Sequence, residues 1–156
     1  MRRKKSLAYQ RQKLPVNPEI YNTQTAIPID TDSVIDLTRR FLHFYKKTPE
    51  TVEIHFVTKE EIGKIHAQFF DDPTPTDCIS LPIDDVVLGT VFVCPQVAQE
   101  YVHEHGGDLY REISLYLIHA LLHLLGYDDI DEKDLAEMRA QERRALAHLC
   151  DHLITA

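Results

Sequence analysis

The chain has 156 residues, 44% hydrophobic and 27% charged, with a formal net charge of −8. That length and balance suit one globular domain with a real core and exclude wholesale disorder or a fibrous architecture. No stretch approaches the roughly 18 apolar residues of a membrane span, and no apolar run follows the first basic residues, so a cytoplasmic protein without membrane contact is expected.

Six of the seventeen basic residues (Arg2, Arg3, Lys4, Lys5, Arg11 and Lys13) precede the first acid, Glu19, leaving eleven bases against twenty-five acids in the remainder. Residues 1–13 therefore read as a basic extension, suited to solvent or to nucleic acid, on an acidic single domain running from 14 to 156. Leu14 to Asn22 reads as extended chain that Pro18 confines to an edge or a first-strand position. Val34, Leu37, Phe41 and Phe44 or Tyr45 recur at helical spacing and predict a helix from about 32 to 47. Thr51 to Thr58 alternates, with Val52, Ile54 and Phe56 on one face of a strand. Thr58-Lys59-Glu60-Glu61 has capping-box spacing and opens a second helix to about 69, its buried stripe Ile62, Ile65 and Phe69, with His66 on another face.

Residues 71–77 hold Pro73 and Pro75 among short polar residues and form a loop. Strands are expected from Cys78 to Leu81 and from Leu88 to Cys94. Pro95 suits the first position of a helix bearing Val97, Ala98, Tyr101 and Val102, which Gly106-Gly107 ends. Asp108 fits the N-cap of a long central helix. Asp131 fits that of a last one, whose stripe is Leu135, Met138, Ala145, Leu146 and Leu149. The sum is an α+β fold, a small mixed four-stranded sheet packed against about five helices, with no order derivable for the strands. Cys78, Cys94 and Cys150 are widely spaced without Cys-x-x-Cys and are expected to be small, buried or half-buried apolar side chains.

The chemistry concentrates in Leu117 to Asp129. His119 and His123 lie four apart and so share one helix face, one turn above each other. Leu117, Ile118, Ala120, Leu121, Leu122, Leu124 and Leu125 make the helix apolar on nearly every side, the mark of a buried one. Gly126 suits the left-handed turn that ends a helix, after which Asp128 and Asp129 bring carboxylates back toward the imidazoles. Two histidines and a third ligand with an open position is how catalytic zinc is held. The pair His148 and His152 has the same spacing, but sits in a polar stretch with no following glycine and reads as a solvated face.

This central motif resembles the YbeY family of metal-dependent endoribonucleases, whose signature is His-Gly-x-x-His-Leu-x-Gly-Tyr-Asp-His. Pro75-Thr76-Asp77-Cys78-Ile79-Ser80-Leu81-Pro82 and the segment from Leu88-Gly89 to Cys94-Pro95 are similar to further family segments, and Glu137, Met138 and Glu142 also fit. The resemblance covers roughly residues 16 to 150. It implies a ligand set of His119, His123 and Asp129, the last standing where the family has a third histidine. Zinc is the expected ion, and a carboxylate ligand also suits Mn(II) and Fe(II). Other departures are Phe70 where the family has arginine, His66 where it has asparagine, and Thr90 where it has aspartate. Asp128 matches the family motif and suits either the orienting of a ligand or a helix-end hydrogen bond, while Ser80 reads as structural.

The activity implied is metal-dependent cleavage of single-stranded RNA in ribosomal RNA maturation and ribosome quality control, with ribosomal RNA and the ribosome or its proteins as partners. The alternative is a ribosome-assembly or RNA-binding factor whose metal is structural and whose changes at Phe70 and Asp129 have erased catalysis. A metallopeptidase of the His-Glu-x-x-His kind would need its general base at Ala120, which cannot serve.

Overall fold

The computed structural model describes residues 16–156. The basic extension read at 1–13, and the start of the extended segment at Leu14, lie outside the described residues. The elements are β1 (Asn17–Asn22), α1 (Thr31–Phe44), β2 (Thr51–Phe56), α2 (Lys59–Phe70), β3 (Cys78–Pro82), β4 (Val87–Val93), α3 (Pro95–His105), α4 (Leu109–Leu124) and α5 (Glu132–Leu149). The fold is α+β, with one four-stranded sheet in the order β1-β2-β4-β3. β1 pairs parallel with β2 and β2 with β4, while β3 runs antiparallel to β4. Pro18 sits in an edge strand, where its missing N–H costs least.

Local chemistry accounts for the element ends. Asp30, Thr58, Asp108 and Asp131 cap their helices, and Thr58 with Glu61 forms the reciprocal capping box that its spacing indicates. α1 stops at Phe44, short of the expected 47. Lys46 takes a left-handed φ of 56°, its N–H donates to His43 O, and the Lys47 N–H donates to Leu42 O, which closes a Schellman turn.

α4 lies at the centre. Its Ile113, Leu117, Ile118, Leu121 and Leu122 are wholly buried, in one core with Val34, Leu37 and Phe41 of α1 and Met138, Ala145 and Leu149 of α5. The sheet contributes Val52, Ile54, Phe56, Val91 and Val93 to the same core. α2 makes a smaller second cluster, where Ile62 meets Val57, Ile79 and Cys94, and Ile65 packs beside them. That cluster does not reach Phe69, which is exposed instead of completing the expected stripe. Tyr101 and Leu135, the outlying members of their stripes, are exposed too. Cys94 is buried and Cys78 half-buried, but Cys150 is exposed, because α5 turns it away from the Leu149 side.

Two contacts fix the end of α4 on the sheet. The Ser80 hydroxyl of β3 donates to Ala120 O at 2.7 Å. Gly89 of β4 lies where a Cβ would stand 2.5 Å from Leu81 O and 2.8 Å from Leu124 Cδ2. A side chain there would have to push apart β3 and the last turn of α4, so Gly89→Ala is expected to lower unfolding free energy by about 1–3 kcal/mol. A urea melt of the two proteins measures this, and equal midpoints would mean that the contact is looser than the geometry indicates.

Candidate metal centre

The last two turns of α4 present His119 and His123 toward a cleft of about 550 Å³ that runs between α2, β3 and the connection from α4 to α5. Gly126 ends the helix at φ 99°, with its N–H donating to His123 O and that of Tyr127 to Leu122 O, a second Schellman turn. The reversal brings Asp129 back over the helix end. The Asp128 carboxylate accepts the Asp129 backbone N–H at 2.8 Å, so Asp128 holds the chain that carries the third side chain and does not touch the imidazoles itself.

Three donor atoms converge. His119 Nε2 and His123 Nε2 are 3.1 Å apart, and Asp129 Oδ2 lies 3.4 Å from the first and 3.6 Å from the second. Ligand bonds of about 2.0–2.1 Å at tetrahedral angles would place donors roughly 3.3–3.4 Å apart, so the triangle has the size of a zinc-type ligand face. Two ring nitrogens facing each other also need a proton or a cation between them. The donor set therefore fits a metal ion. His119, His123 and Asp129 are the one group of this kind among the described residues. The other histidine pair is used otherwise: His148 stacks on Phe44 and His152 pairs with Asp36 at 3.2 Å.

Behind the triangle stands Glu142, 5% exposed, which accepts from His119 Nδ1 at 2.7 Å. Arg139 Nη1 donates to both Glu142 oxygens, at 3.1 and 2.9 Å. A carboxylate on one ring nitrogen fixes the tautomer and leaves the other nitrogen as a ligand. Glu142 matches the family pattern, yet the sequence reading gave it no role. The available signal was its place on the apolar stripe of α5, between Met138 and Ala145, where an unpaired charge would be costly.

Burial raises the Glu142 carboxyl, but hydrogen bonds from His119 and Arg139 outweigh it and leave the group below its ordinary value. Burial likewise disfavours the His119 imidazolium, but the Glu142 hydrogen bond and the charges of Glu142, Asp77 and Asp129 prevail and raise it.

Of the departures from the family pattern, His66 and Phe70 line the cleft. Thr90 does not; its hydroxyl donates to Glu53 across the sheet. A model of the family described as "Endoribonuclease YbeY" matches residues 19–150. The chain belongs to the YbeY family. A relative from Protochlamydia amoebophila, named Endoribonuclease YbeY, is 40% identical over 134 residues, covering 82% of this chain and 89% of that protein. One of the same name from Chlamydia trachomatis serovar D is 38% identical over 146 residues, covering 87% and 91%. The solution structure of TM1509 from Thermotoga maritima superposes with a TM-score of 0.63 at 24% identity, covering 85% of this chain and 89% of that one, and shares the fold. No helix among the described residues is long and apolar enough to cross a membrane.

Two outcomes follow from the Glu142 contact. Glu142→Gln is expected to weaken zinc binding about 10- to 100-fold, as read by competition with a chromogenic chelator. In metal-free protein the raised His119 contributes stability below its unfolded pKa of about 6.5 and loses it as pH rises through the folded value. The lowered Glu142 contributes above its unfolded pKa of about 4.3 and loses it as pH falls. The pair therefore stabilises most between roughly pH 4.5 and 6.5, and thermal melts of Glu142→Gln against pH should lack that contribution.

Proposed function

We propose that the chain is a metal-dependent endoribonuclease, specific for single-stranded RNA, that acts in the cytoplasm in ribosomal RNA maturation and ribosome quality control. What carries the reading is the convergence of His119 Nε2, His123 Nε2 and Asp129 Oδ2 in an open cleft of a YbeY family member, whose relatives are named endoribonucleases. The domain from 14 to 156 would carry the activity, with ribosomal RNA and the ribosome or its proteins as partners, and residues 1–13 as a separate basic extension.

His119, His123 and Asp129 would hold the ion, zinc first by the size of the triangle, with Mn(II) and Fe(II) accepted by the carboxylate. Bound there, a divalent cation supplies Lewis acidity toward a phosphodiester oxygen and makes water a better nucleophile at neutral pH. The remaining contributions belong to the chain. Glu142 holds the His119 ring so that its Nε2 faces the cleft, and Asp128 fixes the backbone at Asp129. Ser80 is occupied by Ala120 O and ties β3 to the metal-ligand helix. The Asp129 carboxylate lowers the net positive charge of the loaded site by one relative to three imidazoles, which weakens its pull on electrons.

The test is zinc content together with cleavage of a single-stranded ribosomal RNA precursor fragment. Wild type should bind one equivalent and lose cleavage on chelation, whereas Asp129→Ala and His123→Ala should retain neither metal nor activity. Asp129→His should move the pH–rate profile to lower pH, and identical profiles would remove the charge argument. Cleavage by metal-free protein at the full rate would eliminate the metal-dependent reading. Wild type that binds ribosomes without cleaving, as Asp129→Ala also does, would mark an assembly factor with a structural metal.

A further inference from the structure

The cleft lining contains no lysine or arginine among the described residues, while Asp128 and Asp129 add negative charge to it. Arg139, near the site, is tied to Glu142. Among the described residues the walls thus offer a polyanion no lysine or arginine to bind. What they do offer is apolar surface. Phe70, the last residue of α2, is 54% exposed, and Ile130, from the connection between α4 and α5, is 85% exposed; both line the cleft that holds the triad. Large apolar side chains left in water at the rim of a functional cleft point to a ligand with an apolar face.

The Phe70 ring is also held in place. His66, one turn earlier, lies with its ring centroid 5.7 Å from that of Phe70. Its Nδ1–H donates to Thr74 O at 2.8 Å, which pins the imidazole to the 71–77 loop. Gly63 lets that loop approach, since a Cβ there would stand 3.0 Å from Pro73 O. α2 closes at Asp71 in the left-handed conformation, so Phe70 sits at a fixed helix end and not on a free strand of chain. A positioned aromatic face in the same cleft as the His119, His123 and Asp129 triad is the arrangement of a stacking platform for a nucleobase, whose π-face is uncharged whatever its sequence.

We propose that Phe70, backed by His66 and sharing the cleft with Ile130, forms a subsite that stacks one unpaired nucleobase of the RNA next to the metal-ligand triad. The proposal rests on the endoribonuclease reading for its substrate class and adds how that substrate is held. A paired base has its faces covered by its neighbours in the stack, so the subsite accepts single strands and rejects duplex.

The probe is a short single-stranded RNA whose only base is one 2-aminopurine, the other positions being abasic, so that its fluorescence falls only when that base stacks on the protein, titrated into full-length zinc-loaded protein. Wild type should quench the probe, Phe70→Ala should bind it about 5- to 100-fold more weakly with the quench lost, and Phe70→Tyr should restore both. The deficit of Phe70→Ala should be equal at low and high salt, because stacking involves no counterion release. It should vanish with a probe abasic at the 2-aminopurine position. Phe69→Ala, which alters the neighbouring exposed ring outside the cleft, should behave as wild type.

Binding and quench unchanged in Phe70→Ala would overturn the subsite, as would a deficit that persists with the abasic probe. Quenching by wild type without cleavage would count against the nuclease reading and still support the subsite. Cleavage with the same KM and kcat in Phe70→Ala would do the reverse.

Discussion

The hydrogen bond from His119 to Glu142 is the contact on which the site depends. α4 is buried on nearly every side, and an imidazole in such a helix is costly unless its nitrogens have partners. Glu142 supplies one partner from α5, which frees the opposite nitrogen to face the cleft. The carboxylate is itself too buried to stand alone, and Arg139 completes its hydrogen bonding. Removing His119 or Arg139 would leave the buried Glu142 carboxylate with one partner fewer, which is why the three side chains act as a unit.

The same arrangement determines the charge of the cleft. The described body of the chain carries a strong net negative charge, which disfavours a polyanion except where local cations offset it. A metal ion at the triad is the local reversal that its residues are suited to provide. Among the described residues no lysine or arginine lines the cleft, so on the proposed reading phosphate recognition would fall to the metal ion and the exposed ring of Phe70 would supply contact area that a basic groove otherwise provides.

Most of the fold was legible because its signals are local. The period-two pattern of Val52, Ile54 and Phe56 and the capping box at Thr58 and Glu61 appear in the structure as their spacing indicates. The candidate triad was equally visible, since His119, His123 and Asp129 are close in sequence and joined by a glycine turn. What was hidden depends on distant neighbours. The end of α1 follows from Lys46 entering a conformation that a lysine seldom takes, and the exposure of Phe69 from a sheet cluster that ends at Ile65. Glu142 is separated from His119 by 23 residues, and only the packing of α5 on α4 brings it to the ring. Strand order, with β4 between β2 and β3, is likewise a long-range outcome that periodicity cannot express.

The glycine turn at the end of α4 has a consequence for assembly of the molecule. All three donors lie on one short stretch of chain, so closing the loop between the second imidazole and the carboxylate involves little entropy and few non-local contacts. The donor triangle is therefore set by this helix end, whereas the ring tautomer of His119 depends on Glu142 of the following helix. Donor spacing and ring orientation are thus specified at different ranges along the chain, the first within a few residues of the glycine and the second only by tertiary packing.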